Sequence, residues 1–341
     1  MVFKLSRTCN PPAPDGRVRD LAQLFRLGHV GNRVIAILGC TASGKGELGR
    51  ALAERIGGEI VSVDSMKVYR GMDIGTAKPS AADLAAVPHH LVNVADAWEP
   101  FSAARFVQLA DAAVADIHAR GRPAVAVGGT VLYFRAFYNG LFEGPSADES
   151  VRAEIRARAD EIGLDALHAE LAAVDPQAAA RIHRNDIRRI ERALEVHRLT
   201  GQPISKLQTQ WDAPALRRPD WQWRLIGLRR EREAANRRIN ERVRRMIAAG
   251  LVDEARRIWS DPRGVSSQAR QAVGYAELFD HFEGRISLEE AIERIKIHSR
   301  RLAKHQRTWM RRMSDISWID LSPEERSLER LDAIAEQVNV D

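Results

Sequence analysis

The chain has 341 residues, 45% hydrophobic and 29% charged, an ordinary globular composition that excludes fibrous and disordered classes and predicts two domains or one domain with a large insertion. No apolar run approaches the ~18–20 residues of a membrane span, Met1 to Pro14 lacks a secretory core, and two cysteines, Cys9 and Cys40, are too few for a disulfide framework or zinc site; a reduced, cytoplasmic, monomeric protein is expected. The net charge is only +6, but residues 1–150 hold 16 basic and 15 acidic side chains, 181–245 hold 18 and eight, 294–312 eight and none, and 313–341 two and eight, so positive charge gathers where a polyanion could lie.

In chain order, residues 1–30, broken by Pro11, Pro12 and Pro14, read as a poorly ordered extension with one short helical pattern at Val18–Leu27. From Arg33 the pattern becomes strand (Val34–Leu38), Gly-containing loop, helix (Glu47–Ile56) and strand (Glu59–Val63). Apolar runs at His90–Val94 and Ala124–Val127 flank a helix at Phe101–Arg120. Strands alternating with helices imply a parallel sheet covered on both faces. After about Ser146 come helical stretches at Glu149–Ile162, Leu164–Val174, Asp186–Leu199 and near Pro203–Gln210, then a strand at Trp221–Leu228, long helices at Glu231–Ala249 and Leu288–Met313, and a last strand at Ile316–Ile319. The expected organisation is an α/β core of the P-loop NTPase type over 31–145 and 216–322, interrupted by an all-helical insertion at 146–215 and followed by an acidic tail at 323–341.

Gly39-Cys40-Thr41-Ala42-Ser43-Gly44-Lys45-Gly46 lies between a buried strand and a helix, the context of a phosphate-binding loop: glycines let backbone N–H groups converge on an anion, the helix N-terminus adds partial positive charge, and Lys45 supplies a cation. Gly46 stands where Ser or Thr normally offers Mg²⁺ a hydroxyl; Ser43 is the nearest replacement, and magnesium can instead be held by substrate phosphates and water. The next strand delivers Asp64 to the same sheet edge as a base or metal-organising carboxylate, and Thr130 ends a third strand there, where its residue type also suits the N-cap of the helix starting at Val131. Arg238, Arg242 and Arg245 share one face of the Glu231–Ala249 helix. On the last long helix Arg300, Lys304, Arg307 and Arg311 form one stripe, and Ile295, Leu302, Trp309 and Met313 another that reads as core.

The run VSVDSMKVYRGMDIGTAKPS (Val61–Ser80) resembles the tRNA dimethylallyltransferases, or tRNA isopentenyltransferases. So do Gly128–Tyr133, Pro145–Asp148, Asp175–Asp186, Arg192–Val196, Gln271–Tyr275 and Arg301–Trp309, together covering about residues 33–320. The resemblance implies transfer of a dimethylallyl group from dimethylallyl diphosphate to N6 of the adenosine at tRNA position 37, with release of pyrophosphate, and it implies Mg²⁺ and an insertion that grips the anticodon arm. It implies Asp64 as base, with Lys45 and Thr130 in the catalytic set. The loop from Gly39 to Gly46, with Arg242, would hold the diphosphate. The tRNA would be met by Asp64, Ser65, Met66, Lys67, Thr130, Arg152, Arg188, Arg189, Arg192, Gln271, Gly274, Tyr275, Arg300, Lys304 and Arg307. Lys67 stands where the family has Gln, and His305 where it has Arg. Two rivals remain. A small-molecule kinase would account for Gly39–Lys45 but not for Asp64–Pro79 or the basic insertion, and an RNA-binding relative without turnover would account for Gly46, Lys67 and His305.

Overall fold

The computed structural model describes residues 32–141, 144–208 and 220–339; the expected extension 1–30, with Cys9 and the helix Val18–Leu27, lies outside them. Strand β1 (Arg33–Gly39) is buried from Val34 onward, and its alternation sends Val34, Ala36 and Leu38 to one layer and Ile35 and Ile37 to the other. With β2 (Glu59–Val63), β3 (His89–His90), β4 (Ala124–Gly128), β5 (Gln222–Arg230) and β6 (Ile316–Leu321) it forms a six-stranded sheet in the order β3-β2-β4-β1-β5-β6. Every pairing is parallel, which explains why the central strands β1 and β4 read as unbroken apolar runs. In register, Gly128 lies beside both Leu38 and Val63. The residues that follow β1, β2 and β4 therefore emerge together at one carboxyl edge.

Before the insertion the helices are α1 (Lys45–Ile56), α2 (Ala81–Ala86), α3 (Ala103–Ala119) and α4 (Val131–Asn139). The insertion holds α5 (Glu149–Ile162), α6 (Leu164–Val174), α7 (Pro176–Arg181), α8 (Ile187–Thr200) and α9 (Ile204–Leu207) around its own core, which includes Ile155, Leu167, Leu171, Ile190 and Val196. After it come α10 (Arg232–Ala248), α11 (Leu251–Trp259), α12 (Tyr275–Phe282), α13 (Leu288–Met310) and α14 (Leu331–Asn339). Among the described residues no helix is long and apolar enough to cross a membrane.

Three expectations need correction. Of the run His90–Val94 only His90 is in strand, as the second residue of β3, because Leu91 and Asn93 adopt positive φ (62° and 58°) and break the extended backbone. The acidic segment 323–341 is not a tail: Ile334, Ala335 and Val338 of α14 are buried against Ile35, Ile37, Leu48 and Leu52, while Asp332 and Glu336 occupy the outer face of this amphipathic helix. On α13 the buried face is Ala291, Ile295, Ala303, Gln306 and Met310, a true helical spacing. Leu302 and Trp309, seven apart, line a cleft instead.

Candidate active site

The loop after β1 curls because Ala42 and Gly44 take positive φ (61° and 95°), and Gly39 leaves the space in which Ser43 packs, since a Cβ there would sit 2.6 Å from the Ser43 hydroxyl. Lys45 Nζ donates to the Cys40 carbonyl at 3.2 Å. The Cys40 side chain is buried with Ile239 and Ala303, so it offers the site backbone rather than thiol. Gly46 is not demanded by packing: a Cβ there would meet nothing within 4 Å. Lys45 and Gly46 open α1, whose first N–H groups lack partners within the helix.

Gln306 of α13 holds this loop in place, a role the sequence did not reveal. Buried, it accepts the Thr41 N–H at 2.9 Å and donates through Nε2 to the Gly129 carbonyl at 2.8 Å. The Thr41 N–H is thereby committed to the scaffold. Arg238 adds a bond from Nε to the Ala42 carbonyl at 3.3 Å.

Asp64 leaves β2 beside this loop. Its Oδ1 accepts the N–H groups of Met66 (2.9 Å) and Lys67 (3.2 Å), which fixes the carboxylate; among the described residues Oδ2 has no partner. Thr130 is joined to the same segment, its hydroxyl accepting the Ser65 N–H at 3.0 Å and lying 3.3 Å from the Ser65 hydroxyl. It stands at the N-cap position of α4, its carbonyl accepting the Phe134 N–H at 3.0 Å, but its hydroxyl makes no capping bond and serves Ser65 instead. Thr41 to Gly46, Asp64 to Lys67, Thr130 and Arg242 line one open cleft of about 1500 Å³, together with Gly274, Leu302, His305, Gln306 and Trp309.

Charge in the cleft is unbalanced. Burial, then the proximity of Arg242 and Lys67, lowers the Lys45 ammonium from its ordinary value to about 8. Burial likewise lowers Lys67, with Asp64 opposing it, and lowers Arg242, with Asp64 again opposing. An anion in the cleft would remove the mutual repulsion of these cations.

Farther out the basic side chains differ in exposure and partners. Arg188 and Arg189 are exposed on α8; Arg188 donates to Gln271 Oε1 at 2.6 Å and Arg189 pairs with Asp186 at 3.2 Å. Arg300 is half-buried and donates to Asn240 at 2.6 Å, while Lys304 and Arg307 line a small basic pocket with Arg232 and Arg311. Arg152 and Arg192 are tied to the scaffold: both grip Glu195, itself fully buried, at 2.8 and 2.6 Å, and Arg192 also donates to the Pro145 carbonyl at 2.9 Å. Tyr275 is also withdrawn, fully buried with its hydroxyl donating to Glu254 at 2.5 Å; its neighbour Gly274 lines the cleft.

Comparison with known proteins decides the family. The IPP transferase family model matches residues 67–313. The chain belongs to the IPP transferase family. A relative from Geobacillus thermodenitrificans, named a tRNA dimethylallyltransferase, is 47% identical over 89% of this chain and 95% of its own length, and one of the same name from Halorhodospira halophila is 49% identical over 83% and 91%. The crystal structure of a tRNA isopentenylpyrophosphate transferase from Bacillus halodurans is similar with a TM-score of 0.65 at 41% identity, covering 90% of this chain and 95% of that one. A eukaryotic dimethylallyltransferase, described as acting on tRNA, superposes with a TM-score of 0.71 at 27% identity over 91% of this chain and 78% of its own. In this IPP transferase the ion cluster at Glu195 ties α5 to α8. Replacing Glu195 by Ala removes the buried acceptor that the two arginines share and is expected to cost about 3 kcal/mol, low in the range for a broken buried pair because both arginines keep partial solvent and a second acceptor, Glu191 for Arg152 and the Pro145 carbonyl for Arg192. Urea unfolding measures this, and a loss under ~1 kcal/mol would contradict the cluster's structural role.

Proposed function

We propose that the chain transfers the dimethylallyl group of dimethylallyl diphosphate to N6 of the adenosine at tRNA position 37, releasing pyrophosphate. The observation that carries this reading is the meeting of Asp64 and Thr130, joined through Ser65, with the phosphate loop and three cations in one cleft. A phosphate loop alone suits many reactions; a fixed carboxylate with one oxygen unpartnered suits removal of a proton from an amine.

As the C–O bond to diphosphate breaks, the allylic carbon becomes cationic and negative charge grows on the leaving group. The first turn of α1, Lys45 and Arg242 face that charge, and preorganised donors of this kind contribute most where charge develops. The N6 nitrogen forms the new C–N bond and gives up a proton to Oδ2 of Asp64, while Oδ1 stays held by two N–H groups. Thr130 fixes the Ser65 segment and hence the angle of the carboxylate.

For magnesium, no three His, Cys, Asp or Glu side chains cluster as a cage among the described residues, and Gly46 brings no hydroxyl. The donors present, the Ser43 hydroxyl and Asp64, fit an ion carried chiefly by diphosphate oxygens and water. Bound there, Mg²⁺ would neutralise charge on the leaving group.

The adenosine must leave its stack to enter a cleft of this kind. Exposed Arg188 and Arg189 on the insertion and Arg300, Lys304 and Arg307 on α13 support an RNA backbone laid across the mouth, with Ser65, Met66, Lys67 and Gly274 near the extruded base. Arg152 and Arg192 serve the tRNA only by holding the insertion's shape.

Asp64→Ala is expected to lower turnover on the order of 10²–10⁴-fold while tRNA affinity persists; near-normal turnover would sink the assignment of the base. Lys45 sets a pH dependence. With its folded value near 8 and its unfolded value at the ordinary 10.5, the buried ammonium costs folding stability below pH 8, and that cost is relieved as pH rises from 8 toward 10.5. Binding runs the other way, because the ammonium that attracts diphosphate is lost above pH 8. The KM for dimethylallyl diphosphate should climb through pH 8–9, and Lys45→Arg, charged throughout, should flatten the climb. A wild-type KM level from pH 7 to 9 would contradict this.

A further inference from the structure

The segment Ser322–Arg330 lies against the outer side of the phosphate loop, and we infer that this C-terminal strap is a positioning element of the diphosphate site, with Ser327 its acting residue. The inference rests on the reading of the loop as the diphosphate site. Ser327 is 2% exposed, and its hydroxyl donates to the Gly44 carbonyl at 3.1 Å. The same carbonyl accepts the Leu48 N–H at 3.1 Å, closing the first turn of α1. In a trans peptide the C=O and the following N–H point in opposite directions. Anchoring the Gly44 carbonyl on the strap side therefore turns the Lys45 N–H toward the loop's interior, where it meets the Ser43 hydroxyl at 3.4 Å.

The fit is mutual. Gly44 adopts φ +95°, and a Cβ on it would stand 2.3 Å from the Ser327 hydroxyl; the strap occupies the space that glycine leaves. Arg230, 8% exposed at the end of β5, anchors the strap by donating to the carbonyls of Ser322, Pro323 (2.8 Å) and Glu325 (2.6 Å). Leu228 of the same strand is in register with Gly39, so strap and loop are referenced to neighbouring strands. Arg326 pairs with Glu47 at 2.5 Å. Glu47 lies in the first turn of α1 and lines the cleft, where its carboxylate would repel diphosphate; Arg326 offsets that charge.

The test uses the full chain with Ser327→Ala, Ser327→Thr, Arg326→Ala and, as a control on the loop, Lys45→Ala. The readouts are KM for dimethylallyl diphosphate, inhibition by inorganic pyrophosphate, KM for an anticodon stem-loop, and the urea midpoint. Loss of one buried hydrogen bond in Ser327→Ala should lower the urea midpoint modestly and raise KM for dimethylallyl diphosphate and the pyrophosphate inhibition constant about 3–10-fold, with KM for RNA unchanged. Ser327→Thr should restore both constants. Arg326→Ala, at an exposed position that folding tolerates, should weaken pyrophosphate about twofold at low salt and not at high salt. Wild-type pyrophosphate binding in Ser327→Ala, while Lys45→Ala still weakens it, would overturn the inference, as would an equal shift in the RNA constant. Unchanged binding in Lys45→Ala would overturn the loop's assignment to diphosphate and the strap's role with it.

Discussion

Lys45, Lys67 and Arg242 share one cleft with Asp64, the carboxylate that acts on all three, and each of the three cations is held below its ordinary pKa, chiefly by burial. Gathering like charges out of water is unfavourable in the empty protein, so the surroundings must hold them there. That constraint fits a cleft whose walls are tied by hydrogen bonds at Thr41, Gly129 and Ser65. It also explains why an anion with several charged oxygens suits the site better than a neutral ligand, since only such a ligand answers the whole excess.

Two buried side chains do the holding at the site, and neither faces the cleft as a charge. Gln306 joins the phosphate loop to the end of β4 through Thr41 and Gly129, and so fixes the distance between the anion cradle and Thr130. Glu254 of α11 accepts the N–H groups of Asp73 (3.0 Å), Ile74 (2.8 Å) and Gly75 (3.0 Å) along with the Tyr275 hydroxyl. Gly75 is required there because a Cβ would meet the Tyr275 ring at 2.5 Å. The segment that follows Asp64 is thus stapled to the helices after β5, and residues far apart in sequence set the position of one carboxylate.

The strands, the phosphate loop and Asp64 were legible because they depend on local signals: apolar runs, glycine placement, and a polar residue at a strand end. What was not legible depended on burial. Arg152, Arg188, Arg189 and Arg192 look alike as a basic cluster, and only the buried Glu195 separates the structural pair from the exposed one. Tyr275 was read as a site residue from its motif, yet its hydroxyl serves Glu254 in the interior. Gln306 left a faint trace, a polar residue at core spacing between Ala303 and Met310 on α13. The acidic residues near the C-terminus outweighed, in a charge count, the four-residue spacing of Ile334 and Val338 that places α14 on the sheet.

The central claim is that this phosphate loop holds a leaving diphosphate while carbon, not phosphorus, is transferred. Its most direct test supplies an unmodified anticodon stem-loop with carbon-labelled dimethylallyl diphosphate in one arm and γ-phosphate-labelled ATP in the other. The account predicts label on N6 of the adenosine at position 37 in the first arm, with equimolar pyrophosphate released, and no label on RNA in the second. Phosphoryl transfer from ATP without carbon transfer, or binding of the stem-loop with neither, would contradict it.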